Sequence, residues 1–556
     1  MATMTMRGRR VVAGLLVLGL LGGAFFVVSA IGGDDDPAPG DKAAGAIEVD
    51  DRIFETNDPV ERGCALALEL LKRIERGTVP EHTEDLLFVP QAPNYVGTFG
   101  IRSHSGPFDY LQTIPLVFYG PERIVAQGEA LDKAASITDV YPTVGQLTDV
   151  DLPERKGKVL EDTLKPDVPG VPKLILTVVW DGVGRNMLER WPDDWPNLAR
   201  MERKGTSYLG ATVGSSPSIT PATHSSLGTG AFPKDHDVTA ITMRFGEEIR
   251  DAFAGRVASD LKLTTFGDEV DLAYNNESLV GMLAWKSWHL GMLGHGSMTP
   301  GGDQDLLGII GHDENITGNP EYYATPEYLT PFPGLTERLE ELDRADGEID
   351  EQWMGHDIEL HENPAWVNYL GDVLLATMDR EGFGADDVPD LLMTNFKMTD
   401  IVGHQYSMDS PEEPVVLRAQ DAQLGRLIDY LDAEVKDYVV IVTADHGHTP
   451  STERSGAWPI AKGALVADLN RFLGVDEDAS PVINTSAVGM FFDPDLLSAT
   501  GKTLDEVATW MNDYRLEDNW DEELPAGYED RADEQVMAAV FPTDALPEIM
   551  ACSRLG

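Results

Sequence analysis

The feature that most constrains the fold is an alternation of short apolar runs with helical patterns, which starts near Lys173. Buried strands are predicted at LILTVVW, SLVGMLAW, PDLLMTNF and DYVVIVTAD, because these runs are short and apolar. Helical patterns lie between them, among them PNLARMERKG and VVLRAQDAQLGRLIDYLDAEV. This alternation predicts an α/β fold with a mostly parallel central sheet that is flanked by helices on both faces.

Three aspartates come directly after predicted strands or within a few residues of one. They are Asp181, Asp400 and Asp445. Because parallel strands end at a common edge, we expect these carboxylates to share one site. His404 follows Asp400 at helical spacing, and His446 is the neighbour of Asp445, so both histidines are candidate metal ligands beside them. Hydrogen-bonded core pairs are the alternative, since a buried Asp or His needs a polar partner in any case.

A candidate nucleophile lies in SPSITPATHSSLGTG. Pro221 suits the first position of a helix, which predicts Thr220 as the N-cap. A hydroxyl there faces free backbone N–H groups and the positive end of the helix dipole, where phosphate binds. A metal ion on that oxygen would lower its pKa and make it a nucleophile. An ordinary N-cap threonine has the same local sequence, so the role depends on the aspartates and histidines elsewhere.

The charge of the chain excludes one class of partner. The 556 residues carry 95 acidic and 42 basic side chains, for a net charge of −53. We expect no binding of nucleic-acid polymers, because phosphate backbones are held by Lys and Arg. The same field repels small phosphate esters, but bound divalent cations invert it locally.

The N-terminus resembles a targeting segment. Basic residues precede an uncharged run from Val11 to Ile31 that can nearly span a bilayer. We expect residues 1–35 to be a membrane anchor that leaves a single-pass protein with its catalytic part outside the cytoplasm. A cleaved signal peptide and a secreted protein are the alternative. Residues 36–87 are predicted to be a linker and a helical segment.

Residues 297–363 interrupt the alternation. They are rich in Gly, Pro and acidic residues, and they lie between predicted core segments at 167–296 and 364–556. This composition predicts an inserted cap that shapes substrate entry, or a surface excursion without such a role.

Together these motifs resemble the alkaline phosphatase superfamily, especially its nucleotide pyrophosphatase/phosphodiesterase branch. The resemblance is carried by LTVVWDGVG, SITPATHSSLGTGAFPKDH, PDLLMTNFKMTDIVGHQY and VVIVTADHGHTP. It implies two zinc ions and attack by the Thr220 oxygen, with hydrolysis of the resulting phosphothreonine. The implied ligands of one zinc are Asp181, Thr220, Asp445 and His446, and those of the other are Asp400, His404 and one further histidine.

That further histidine departs from the family pattern. Relatives carry it well after the Asp-His-Gly motif, but here no histidine follows His448. The segment GIRSHSGPFDYLQTIPLVFYGP resembles the end of many family members, so we expect residues 88–166 to be a C-terminal portion moved forward by circular permutation. His104 would then complete the second zinc site, with His448 as the fallback. The permutation also predicts that Cys64 and Cys552 are near enough for a disulfide.

Two further residues are candidate substrate contacts by resemblance. Lys286 stands where some phosphatases carry a phosphate-contacting lysine, although Trp288 occupies the place of a following arginine. Thr223 stands where the phosphodiesterase branch usually has an asparagine. The expected function is therefore a di-zinc phosphohydrolase that acts on small phosphate esters, with diesters or nucleotide pyrophosphates favoured. The alternatives are a phosphomonoesterase, a head-group transferase and an inactive extracellular metal-binding protein.

Overall fold

The computed structural model describes residues 51–311, 313–359, 363–520 and 524–553. The predicted anchor at residues 1–35 and most of the predicted linker lie outside this described part. Among the described residues, no helix combines the length and the apolarity that crossing a bilayer requires.

The strands of the described residues form one large sheet and several small ones. In chain order they are β1 Leu86–Pro90, β2 Tyr95–Val96, β3 Leu116–Tyr119, β4 Leu131–Ser136, β5 Leu174–Trp180, β6 Thr206–Thr212, β7 Thr242–Phe245, β8 Glu248–Asp251, β9 Val280–Ala284, β10 Leu306–Ile309, β11 Gln352–Trp353, β12 His356–Asp357, β13 Asp390–Phe396, β14 Tyr438–Thr443, β15 Pro459–Ile460, β16 Val482–Thr485, β17 Gly489–Phe492 and β18 Met537–Pro542.

The α-helices of the same residues connect and cover these strands. They are α1 Pro59–Ala65, α2 Leu68–Gly77, α3 Asp109–Gln112, α4 Val140–Thr148, α5 Arg185–Arg190, α6 Pro196–Lys204, α7 Thr220–Thr229, α8 Pro233–His236, α9 Phe266–Ala273, α10 Leu290–Leu293, α11 Leu335–Asp343, α12 Pro364–Glu381, α13 Met398–Gln405, α14 Glu413–Tyr430, α15 Thr452–Ser455, α16 Lys462–Leu473, α17 Pro494–Ala499, α18 Leu504–Asn512 and α19 Leu546–Ser553.

The large sheet confirms the predicted α/β fold. Its eight strands have the order β10-β9-β13-β5-β14-β3-β6-β4. Only β3 runs against the others, pairing antiparallel with both β14 and β6. Every residue of β5, β13 and β14 is buried, because helices cover both faces of these strands.

A smaller antiparallel sheet joins the two ends of the described chain. Its order is β16-β17-β1-β18, so β1 pairs with strands that lie some 400 residues later. Cys64 on α1 and Cys552 on α19 form a disulfide with their Cα atoms 5.7 Å apart, which confirms the predicted proximity. The predicted boundary at residue 88 falls inside β1.

The predicted cap at 297–363 differs from the structure in one respect. Strand β10 lies in this segment and extends the large sheet as its edge, parallel to β9. The segment is therefore partly a continuation of the core. The Gly- and Pro-rich surroundings of this four-residue strand conceal it in the sequence.

Candidate functional site

The predicted aspartates meet at one edge of the large sheet. Strands β13, β5 and β14 are parallel neighbours, so their carboxyl ends lie side by side. Asp181 directly follows β5, Asp445 follows β14 after one residue, and Asp400 lies on α13, which begins shortly after β13. This is the edge at which open α/β sheets place their sites.

Asp181, Asp445 and His446 form a first group of ligand-type side chains, called here the inner group. All are at most 1% exposed. His446 Nε2 lies 3.6 Å from Asp181 Oδ1 and 3.3 Å from Asp445 Oδ2, and none of these atoms has a hydrogen-bond partner. Buried polar atoms are almost always satisfied. A cation among these atoms would satisfy all of them at once, so the inner group fits a metal ion.

A second group, called here the outer group, is built around Asp400 Oδ1. The Nε2 atoms of His104, His404 and His448 lie 3.5, 3.4 and 3.3 Å from this oxygen. The structure therefore brings the predicted ligand His104 to Asp400, and the fallback His448 reaches it as well.

Two observations point to different histidines as the ligand beside Asp400. Asp400, His404 and His448 offer ligand atoms within 4.8 Å of one another, whereas His104 forms such a group with Asp400 and His446. The hydrogen bonds of the other ring nitrogens favour His104 over His448. His104 Nδ1 contacts the Ser218 carbonyl at 3.2 Å, and His404 Nδ1 contacts the Arg102 carbonyl. Such carbonyl partners fix the ring and turn Nε2 toward an ion in metal sites. His448 Nδ1 has no partner.

Thr220 is the first residue of α7, and Ile219 is the N-cap, so the predicted N-cap position was wrong by one residue. The shift is possible because the N–H groups of the first turn have no acceptor within the helix, so a proline is also tolerated one position further in. His224 links Thr220 to the inner group. Its Nδ1 atom lies 2.8 Å from the Thr220 carbonyl oxygen and 3.8 Å from Asp445 Oδ2. Thr220 is therefore adjacent to the inner group.

The two predicted substrate contacts, Thr223 and Lys286, have different surroundings. Thr223 lies one turn after Thr220 on α7, and its buried hydroxyl has no hydrogen-bond partner. Lys286 is partly buried, and its Nζ lies 5.9 Å from the ring centre of Trp288. Burial and the nearby charge of Lys397 lower the pKa of Lys286.

The sequence reasoning missed Lys397. Its buried Nζ donates to Asp181 Oδ2 at 3.1 Å and to Asp400 Oδ2 at 2.9 Å, so it joins the inner and outer groups. Burial acts to lower the pKa of Lys397, but the charges of Asp181 and Asp400 outweigh it and raise that pKa. A lysine in the motif NFKMTD, between a buried strand and Asp400, was the available signal.

Burial favours the neutral forms of His104 and His446. It lowers the pKa of His446 to about 4 and the pKa of His104 well below its usual value. Burial also raises the pKa of Asp445 well above the usual range, aided by the charge of Asp181. Neutral imidazoles have a free electron pair, which metal binding requires.

A cavity of about 370 Å³ opens beside the outer group. His104 and His404 line it together with Arg102, Lys462 and Asn484. Its volume is in the range of small-molecule sites. It places two basic side chains next to the candidate metal ligands.

The chain is similar to a phosphodiesterase family and to several named phosphatases. The family model described as "Type I phosphodiesterase / nucleotide pyrophosphatase" matches residues 175–484. Alkaline phosphatase PhoD of Zymomonas mobilis is 33% identical over 92 residues, which are 16% of this chain and 16% of PhoD. Alkaline phosphatase PhoV of Synechococcus elongatus is 23% identical over 352 residues, which cover 53% of this chain and 62% of PhoV.

Alkaline phosphatase PafA of Elizabethkingia meningoseptica is 27% identical over 146 residues, which cover 24% of this chain and 26% of PafA. A crystal structure of wild-type PafA has a TM-score of 0.49 and 19% identity, and covers 68% of this chain and 85% of that one. The chain thus spans less than two thirds of the length of each curated relative.

Proposed function

This chain belongs to the type I phosphodiesterase/nucleotide pyrophosphatase family of the alkaline phosphatase superfamily, and we propose that it is a metal-dependent hydrolase of small phosphate esters. The observation that carries the proposal is the inner group. Asp181 Oδ1, Asp445 Oδ2 and His446 Nε2 are buried and lack hydrogen-bond partners, and His446 Nε2 lies 3.6 Å from Asp181 Oδ1 and 3.3 Å from Asp445 Oδ2.

Two zinc ions are the proposed cofactors. Asp181, Asp445, His446 and Thr220 would hold one of them, and Asp400, His404 and His104 would hold the other. Mixed carboxylate and imidazole donors suit zinc. When bound, the ions would supply positive charge that lowers the pKa of the Thr220 hydroxyl and offsets the charge of the phosphate.

Thr220 is the proposed nucleophile. Its oxygen attacks phosphorus, the bond from phosphorus to the leaving-group oxygen breaks, and a phosphothreonine remains. A water oxygen then attacks phosphorus from the side opposite Thr220, whose oxygen leaves and takes up a proton. Thr223 and Lys286 are the proposed contacts to the phosphate oxygens. Arg102 and Lys462 in the cavity would face the remainder of an anionic substrate.

Diesters and nucleotide pyrophosphates are the favoured substrates, in line with the matched family. Monoesters are the second candidate, because PhoD, PhoV and PafA are named alkaline phosphatases. The test is a comparison of turnover for bis-nitrophenyl phosphate, nitrophenyl phosphate and a nucleotide nitrophenyl ester. We expect the diesters to have the higher kcat/KM, and chelation to abolish turnover until zinc is restored. No turnover of any ester in the zinc-loaded protein would refute the hydrolase proposal.

We also propose that the protein is exported and tethered to the membrane through the segment at residues 1–35. The disulfide between Cys64 and Cys552 supports export, because such bonds persist in oxidising compartments. Accessibility of the folded domain to protease added outside intact cells tests this. Full protection there, with cleavage after lysis, would contradict it.

The chain order is proposed to be a circular permutation of the usual family order. Three observations support this. The strand β1 pairs with β18, the disulfide joins α1 to α19, and β3 and His104 reach the large sheet and the site from residues ahead of β5. Chain ends that lie close together make such a rearrangement possible without refolding the core.

A further inference from the structure

A separate group of carboxylates lies on elements that the proposed reaction does not use. One oxygen from each of Asp271, Asp303 and Asp305 lies within 4.8 Å of the others. Asp271 is on α9, whereas Asp303 and Asp305 are in the loop that leads into β10. This group, called here the aspartate triad, shares no residue with the inner or outer group.

Two of the three carboxylates are buried and have no basic partner among the described residues. Asp271 and Asp305 are 4% and 5% exposed. Asp271 Oδ1 has no hydrogen-bond partner, and in the described part of the chain no Lys, Arg or His forms an ion pair with any of the three carboxylates. Buried charges are normally paired with an opposite charge or coordinate a metal.

Hydrogen-bond donors are present near the triad, but they donate to the neighbouring Asp268. Its carboxylate accepts from the backbone N–H groups of Thr265 at 2.8 Å and His295 at 2.7 Å, and from the Thr299 hydroxyl at 3.1 Å. It also contacts the His295 ring at 2.9 Å. Asp268 therefore has several donors, whereas Asp271 Oδ1 in the triad has none.

A residue with a further unpartnered oxygen, Asn276, connects the same two segments. Asn276 donates its backbone N–H to the Asp271 carbonyl and its side-chain amide to the Gly301 carbonyl, each at 2.9 Å. Its Oδ1 atom is buried and has no partner. Asn276 therefore ties the end of α9 to the loop that carries Asp303 and leaves an amide oxygen unused.

We propose that Asp271, Asp303 and Asp305 form a calcium site. Calcium binds oxygen ligands, takes several carboxylates and fills its remaining positions with carbonyl oxygens or water. The triad offers oxygen donors alone, whereas the inner and outer groups include imidazole nitrogens that suit zinc. The exposed Asp303 leaves an entry path. A bound ion would hold α9 against β10, the edge strand of the large sheet.

The test is calcium-dependent thermal unfolding of the full chain at constant saturating zinc. We expect the unfolding midpoint to rise by several degrees and to saturate as CaCl2 is added from micromolar to millimolar. Asp305→Asn should abolish this rise and also raise the midpoint without calcium, because it removes repulsion. Asp149→Asn changes the net charge equally at an exposed position and should respond to calcium as the native chain does.

Asp303→Asn provides a second variant, because its exposed position makes folding insensitive to the change. Calorimetric titration with CaCl2 should show at least a tenfold weaker affinity in this variant. A native chain whose midpoint does not respond to calcium would overturn the proposal. An equal response in Asp305→Asn, or equal calcium affinity in Asp303→Asn, would also overturn it.

Discussion

Two groups of buried aspartates in the described chain differ in what surrounds their negative charge. At the carboxyl edge of the large sheet, Asp181, Asp400 and Asp445 have histidines beside them, and Lys397 bridges Asp181 and Asp400. In the aspartate triad, no basic side chain among the described residues pairs with the carboxylates. The first group therefore has a built-in cation and nitrogen donors, which suit zinc and phosphate chemistry. The second depends entirely on an added hard cation.

The largest effect is expected at Thr220, because it is the proposed nucleophile. Thr220→Ala should lower kcat/KM for a nitrophenyl phosphate ester by about 10³-fold or more. Asp181, Asp445 and His446, the other proposed ligands of the same zinc, remain, so the variant should still bind two ions when zinc is in excess. Thr220→Ser, which keeps the hydroxyl, should retain much more activity. Asp305→Asn should leave turnover near the native level. Equal turnover by Thr220→Ala and the native chain would remove Thr220 from the mechanism.

Lys397→Met tests whether the ammonium group of Lys397 compensates the charge of the buried aspartates. In metal-free protein the change leaves Asp181 and Asp400 buried without their partner, so the free energy of unfolding should fall by about 3 kcal/mol. Bound zinc should reduce this loss, since it replaces the missing charge. Urea unfolding of the native chain and the variant, once with chelator and once with zinc, measures the loss of stability in each state.

The control for this change is Lys262→Met, which removes an exposed ion pair to Asp237 and should cost at most about 1 kcal/mol. If Lys397→Met destabilises the protein equally with and without zinc, Lys397 does not act as a substitute for a metal charge.

His104→Ala tests the outer group and the permuted chain order. We expect bound zinc to fall from two ions to one, because the second ion loses a ligand, and its affinity to fall by about 100-fold or more. His82→Ala, at a histidine whose ring contacts the Arg244 carbonyl and the Phe245 ring, should keep both ions. Metal analysis after dialysis measures the difference. Loss of one ion from His448→Ala, but not from His104→Ala, would assign the ligand to His448.

The smallest effect is expected from two buried histidines with opposite pKa shifts. Burial lowers the pKa of His236 to about 3, so its stabilising contribution is complete above the unfolded value near 6.5 and is lost as pH falls. Between pH 7.5 and 5.5 this loss is about 1.4 kcal/mol, and His236→Gln should remove it.

His295 should behave in the opposite sense. Burial lowers its pKa, but the bond to Asp268 outweighs burial and raises that pKa above the usual value. Its contribution is complete below about 6.5 and is lost as pH rises through the folded pKa. Unfolding of His295→Gln between pH 5 and 8 measures this slope. The same sign of change in both variants would contradict the assignment.

The parts of the fold that depend on local pattern were predictable. Apolar runs located β5, β9, β13 and β14, and the position of each aspartate after a strand placed the three carboxylates together. The superfamily, the α/β fold and the proximity of Cys64 to Cys552 are confirmed.

Other features that depend on distant contacts were not predicted. No local pattern distinguishes the partner strands of β1, which lie some 400 residues later, or identifies β10 within a segment rich in Gly and Pro. Lys397 lies near Asp400 in the sequence, but only the fold shows that its Nζ reaches two aspartates. The triad joins α9 to a loop about 30 residues further along the chain, so its sequence shows only scattered acidic residues.

The account rests most directly on two cations at the sheet edge, held by side chains from distant parts of the chain. Anomalous diffraction at the zinc edge from crystals of the zinc-loaded protein locates such ions. We predict one peak among Asp181, Asp445 and His446 and a second among Asp400, His404 and His104, with no zinc peak at the aspartate triad. A single peak, or a second peak away from His104, would contradict the account.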